Sequence, residues 1–80
     1  MRWYVKLLKE DEKNVYIGYS YEKNNSCDGV LQYNKGTENI DIEKLSDGAD
    51  EFSTRWLFGN LYNLIRKKAI TGTPRVVAIG

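Results

Sequence analysis

The alternation of apolar and polar residues changes period once along this chain, near Asp47. In Arg2–Lys9, Trp3, Val5 and Leu7 alternate with Tyr4, Lys6 and Leu8, the period of two that marks a β-strand. Asn14–Tyr21 repeats it, with Val15, Ile17, Tyr19 and Tyr21 set against Tyr16, Gly18 and Ser20, and its aromatic and β-branched residues suit a pleated surface. Gly18 inside that strand marks a bulge or the close approach of another backbone. Val30–Asn34 reads as a third strand. In Glu38–Glu43, Ile40 and Ile42 alternate with acids, as in a strand with one wet face. Glu10–Asn14 is a charged turn, Glu22–Asp28 a polar loop closed by Gly29, and Asn34-Lys35-Gly36-Thr37 a hairpin with Gly36 at positive φ.

Residues 47–72 follow the helical period instead. Leu57, Leu61, Leu64, Ile65 and Lys68 fall on one face, widened by Phe58 and Ala69, with Lys68 at the edge of the stripe. Asp47 or Asp50 supplies the N-cap, and the body of the helix runs over 47–70. Gly72 takes the left-handed position after the helix, and Pro74 bars continuation. Pro74–Ile79 is then a short last strand.

The element order β-β-β-β-α-β implies an α+β fold, one antiparallel sheet of four to five strands with a single long C-terminal helix on one face. Short hairpins make the first four strands a meander. The helix then returns the chain so that the last strand lies antiparallel to the first, giving the order 5-1-2-3-4. One helix covers one sheet face, here Trp3, Val5, Leu7, Ile17, Tyr19, Leu31, Tyr33, Ile40 and Ile42. The other face carries Tyr4, Lys6, Leu8, Tyr16, Ser20 and Gln32.

Eighty residues suffice for one domain, 1–80, with a core so small that dimerisation is a natural aid. No apolar run approaches a membrane span and the first residues lack a signal peptide's apolar block, so a cytoplasmic protein without a membrane partner is expected. Histidine is absent and Cys27 stands alone, which removes His-based nucleophilic pairs and the usual zinc sites. No phosphate-binding glycine loop is present. Helix capping accounts for Asp47, Asp50 and Glu51 better than a hard-cation site does. No enzyme, cofactor, metal or small-molecule substrate is therefore expected.

The net charge of +1 conceals a division. Residues 1–51 hold all eleven acids against seven bases, whereas residues 52–80 hold five bases, Arg55, Arg66, Lys67, Lys68 and Arg75, and no acid. Cations at a helix C-terminus are ordinary and cover three of these, leaving Arg55 and Arg75. The helix face opposite the leucine stripe carries Phe52, Trp56 and Asn63 with Arg55, Gly59, Arg66 and Lys67. The ordinary expectation for Phe52 and Trp56 is burial under a loop or the last strand. Left exposed, they would form a contact patch, aromatic in the middle and arginine at the rim. Tyr4 and Tyr16 on the uncovered sheet face are a second candidate surface, although tyrosines there are common without any function.

The leading expectation is thus a protein-interaction module, with a protein partner or a second copy of itself. The alternative is nucleic-acid binding by the basic face of the helix, with Arg55, Arg66, Lys67 and Arg75 on phosphates. The order of three strands then a helix, opening on Trp3-Tyr4-Val5, is similar to that of the arm-binding domains of some integrases. This likeness is one of element order and covers the first two-thirds of the chain. It departs in charge, because the first 51 residues are net acidic.

Overall fold

A computed structural model describes residues 1–79. Strands β1 (Arg2–Glu10), β2 (Asn14–Tyr21), β3 (Gly29–Asn34), β4 (Ile40–Lys44) and β5 (Arg75–Ala78) flank a single helix, α1 (Glu51–Arg66). They form one antiparallel sheet in the order β4-β3-β2-β1-β5, the order expected from the sequence.

The alternation builds the core directly. Val5 lies opposite Tyr19, and Ile17 lies between Leu7 and Leu31, so apolar side chains stack across three strands on one face. Trp3, Val5, Ile17, Tyr19 and Leu31 are fully buried there against Leu57 and Leu61 of α1. Each such side chain contributes about 1.5–3 kcal/mol of burial. Tyr33 meets Tyr62 edge-on, with ring centroids 6.2 Å apart.

Both ends of α1 depart from the expected span. Asp50 is the N-cap, its carboxylate accepting the Ser53 amide at 2.6 Å, and Asp47 lies outside the helix. The helix stops at Arg66, well before residue 70. Lys68 adopts φ +53°, the Lys68 amide donates to the Ile65 carbonyl, and the Ala69 amide donates to the Leu64 carbonyl. This paired closure is a Schellman motif, so the left-handed residue is Lys68 and not Gly72. Lys68 is exposed and off the buried stripe. The early stop frees Ile70 to leave the helix and enter the core, while Thr71 accepts the Leu7 amide beside β1.

A similar exchange occurs in the β3–β4 hairpin. The Asn34 carboxamide oxygen accepts the amides of Gly36 and Thr37, and Glu38, at φ +61°, takes the left-handed position expected of Gly36. That turn consumes Glu38 and Asn39, so β4 begins at Ile40 and not at Glu38.

The sheet face away from α1 is less open than the pattern implies. The 22–28 loop folds back over β2, placing Cys27 against Gly18, where a β-carbon would lie 2.9 Å from the Cys27 carbonyl oxygen. Ser20 is fully buried beneath the loop and its hydroxyl accepts the Cys27 amide at 3.0 Å. Glycine is also required at Gly29, because a β-carbon there would collide with the Tyr19 ring and lie 2.8 Å from the Ser46 nitrogen. Among the described residues, no helix is long and apolar enough to cross a membrane.

Candidate interaction surface

The outward side of α1 is set by the same periodicity that buries its inner side. Thr54, Leu57 and Leu61 face the sheet, so residues about half a turn away from them face solvent. Phe52 and Trp56 stand on that outward side, 73% and 57% exposed. The expectation that they tuck under a loop or the last strand is overturned. The last strand is taken up by β1, and among the described residues no strand or helix crosses the outer side of α1. Their rings pack on each other edge-to-face, centroids 6.3 Å apart. With Arg55 they line a small concave surface.

Phe52, Arg55, Trp56, Asn63 and Arg66 of α1, and Lys67 just after it, are all exposed. The Arg55 guanidinium is held at 2.7 Å by Glu51, one turn earlier. Arg75 is elsewhere, at the start of edge strand β5, where it donates to the Ala69 carbonyl at 3.3 Å. The two cations that helix-end electrostatics left over thus have partners within the chain. Tyr4 and Tyr16 are half-buried on the far side of the sheet, and the Lys9 ammonium lies 4.6 Å from the centre of the Tyr16 ring. The candidate residues therefore form two separate surfaces, with Arg75 joined to neither.

The far surface has a feature the alternation did not reveal. A bulge between Leu7 and Lys9 brings Leu8 and Lys9 to the same side, where they line a shallow groove with Tyr16, Val30, Glu43 and Lys44. The Leu7-Leu8 doublet, a break in strict alternation, was the one available signal.

Asp50 caps the helix and Glu51 holds Arg55, and a further acid, Asp28, is engaged beside them. The Asp28 carboxylate accepts from the Ser46 hydroxyl at 2.6 Å, the Asp47 amide at 3.2 Å and the Asn24 carboxamide at 3.2 Å. The Ser46 bond foremost, with the Asp47 and Asn24 bonds, holds its pKa down at about 2. The Tyr19 hydroxyl beneath accepts the Ser46 amide at 3.1 Å. This network fastens the 22–28 loop to the entry of α1. Burial pushes the Cys27 thiol above its ordinary pKa, the opposite of what a reactive cysteine needs. Among the described residues no cluster of three or more acids or thiols is placed to hold a metal ion.

No protein-family model, curated protein or solved structure matches the chain.

Proposed function

We propose that this protein is a non-enzymatic interaction module that docks on other protein surfaces through the outward side of α1. The observation that carries this reading is the exposed Phe52–Trp56 pair. Single exposed apolar side chains are normal on a protein surface, but two adjacent large aromatics rimmed by arginine have the composition of a binding hot spot. Phe52 and Trp56 act as anchors, Arg55 and Arg66 as the rim, and Asn63 as a polar contact.

The nucleic-acid reading has less support. With Arg55 on Glu51 and Arg75 on the Ala69 carbonyl, the cations left for phosphates are Arg66, Lys67 and Lys68, clustered at one helix end. A footprint so small gives weak and steeply salt-dependent binding.

A photo-crosslinking amino acid placed at Asn60, beside the aromatic pair, tests the proposal in cells. Covalent adducts with protein are expected from position 60, lost when Phe52 and Trp56 are both changed to alanine, and absent from position 16 on the far face. Adducts equal at both positions, or unchanged in the double variant, would contradict it.

A further inference from the structure

The outward side of α1 carries a second pattern, distinct from its buried stripe. Phe52, Trp56, Gly59, Asn63 and Arg66 succeed one another at steps of four, three, four and three, which is the narrow seam along which two helices pair. Gly59 lies at the middle of the Glu51–Arg66 span, is exposed, and has nothing within 4 Å of where its β-carbon would be. In a helix interior such a glycine costs up to about 1 kcal/mol relative to alanine. The packing of this chain does not require it, but close approach of a second helix does.

The charges along α1 say which helix that is. Asp47 and the N-cap Asp50 lead into α1 and Glu51 opens it, with Arg55 one turn on, while Arg66 closes it and Lys67 and Lys68 follow. The two ends complement each other. A parallel neighbour with this sequence would bring acid to acid and base to base, whereas an antiparallel one, related by a two-fold axis, brings each acidic end to a basic one.

We infer that the partner of this surface is a second copy of the chain, paired through antiparallel α1 helices that cross at Gly59. This rests on the reading of the outward side of α1 as a docking surface, and names its occupant. In that register Glu51 lies beside Arg66 of the second copy, and the same guanidinium reaches the ring of Phe52. Trp56 reaches over Asn63 of the second copy. Glu51 holds its own Arg55 through one carboxylate oxygen and meets the second copy's Arg66 through the other, while among the described residues Arg66 makes no ion pair within its own chain. The four aromatic side chains bury only a few hundred Å², below the roughly 1,200 Å² of a stable interface, so the pairing is weak and reversible.

Cysteine cross-linking reads this register. In an antiparallel pair the two copies of residue 59 face each other across the axis. At a helix separation of about 8–10 Å their α-carbons lie within disulfide reach. The two copies of residue 66 would then be about 20 Å apart. The native Cys27 is buried and serves as its own blank. Under mild oxidation, Gly59→Cys is expected to form a covalent dimer at least tenfold faster than Arg66→Cys or the unmodified chain. Equal rates for the two variants would overturn the antiparallel pairing.

Sedimentation of the chain without added cysteines supplies the second readout. Glu51→Arg and Arg66→Glu are each expected to raise the dimer Kd about tenfold, and the two together to restore it. A double variant weaker than either single one would mean that the charges serve only their own helix, and would overturn the pairing. A chain that stays monomeric at millimolar concentration would also overturn it. The adducts from position 60 then separate the two ideas: adducts with other proteins leave the docking surface standing with a different occupant, and their absence removes both. A monomer whose Trp56 emission shifts on adding a short DNA duplex at low salt would overturn self-pairing in favour of a phosphate ligand.

Discussion

At the scale of single residues, the side chain that joins most of the connecting structure is Asp28. Its carboxylate accepts from Ser46, Asp47 and Asn24, and those bonds favour its charged form. Its pKa is lowered from 3.8 to about 2, so the stabilisation it gives is fully present above pH ~4 and is lost as the pH falls through about 2. The carboxylate is partly open to water, and solvent screening reduces the effect to about 1 kcal/mol. Asp28→Asn is therefore expected to lower unfolding stability by about 1 kcal/mol at pH 7, with the gap to the parent chain closing by pH 2. Urea unfolding at the two pH values checks this, and a gap that persists at pH 2 would count against the role of the charge. None of this was legible in the sequence. Asp28-Gly29 reads as a loop ending, and nothing local says that Ser46, eighteen residues on, will fold onto it. Gly18 was different: a glycine inside an otherwise β-forming run signals close backbone approach, and Cys27 does lie against it.

At the scale of elements, the helix was legible in its middle and misread at its end. The leucine stripe located the buried side, because that side is fixed by period alone. Sequence alone points to Gly72 as the terminus, because glycine meets no steric penalty at positive φ. Tertiary packing prevailed: stopping at Arg66 lets Ile70 be buried, and that gain outweighs the left-handed strain on Lys68. Such strain costs a non-glycine residue about 1 kcal/mol. Lys68→Gly is thus expected to stabilise the chain by about 1 kcal/mol, a rise of about 4–8 °C in Tm for a domain of this size. A thermal melt followed by circular dichroism measures it, and an unchanged or lower Tm would contradict the strained cap. Glu38 took the place expected of Gly36 in the same way, since the Asn34 side chain organises the turn around itself.

At the scale of the whole molecule, sheet order followed from hairpin length and helix return, so it was recoverable from element order alone. The division of surfaces was not. Helical spacing placed Phe52 and Trp56 off the leucine stripe, but whether anything covers them depends on where the last strand goes, and β5 goes to the edge beside β1. The same placement separates Tyr4 and Tyr16 from the helix by the thickness of the sheet. The contact surface proposed on α1 rests on the exposed aromatic pair, and the proposed self-pairing on a charge division already visible along the chain.

All of this depends on the exposure of Trp56, and the chain contains a built-in comparison. Of its two tryptophans, Trp3 is fully buried and Trp56 is 57% exposed. Acrylamide quenching of tryptophan fluorescence in dilute solution should resolve two populations, one readily quenched and one shielded. Trp56→Phe should remove the quenched population alone. A single shielded population in the parent chain at every dilution would place Trp56 inside the protein and contradict the account.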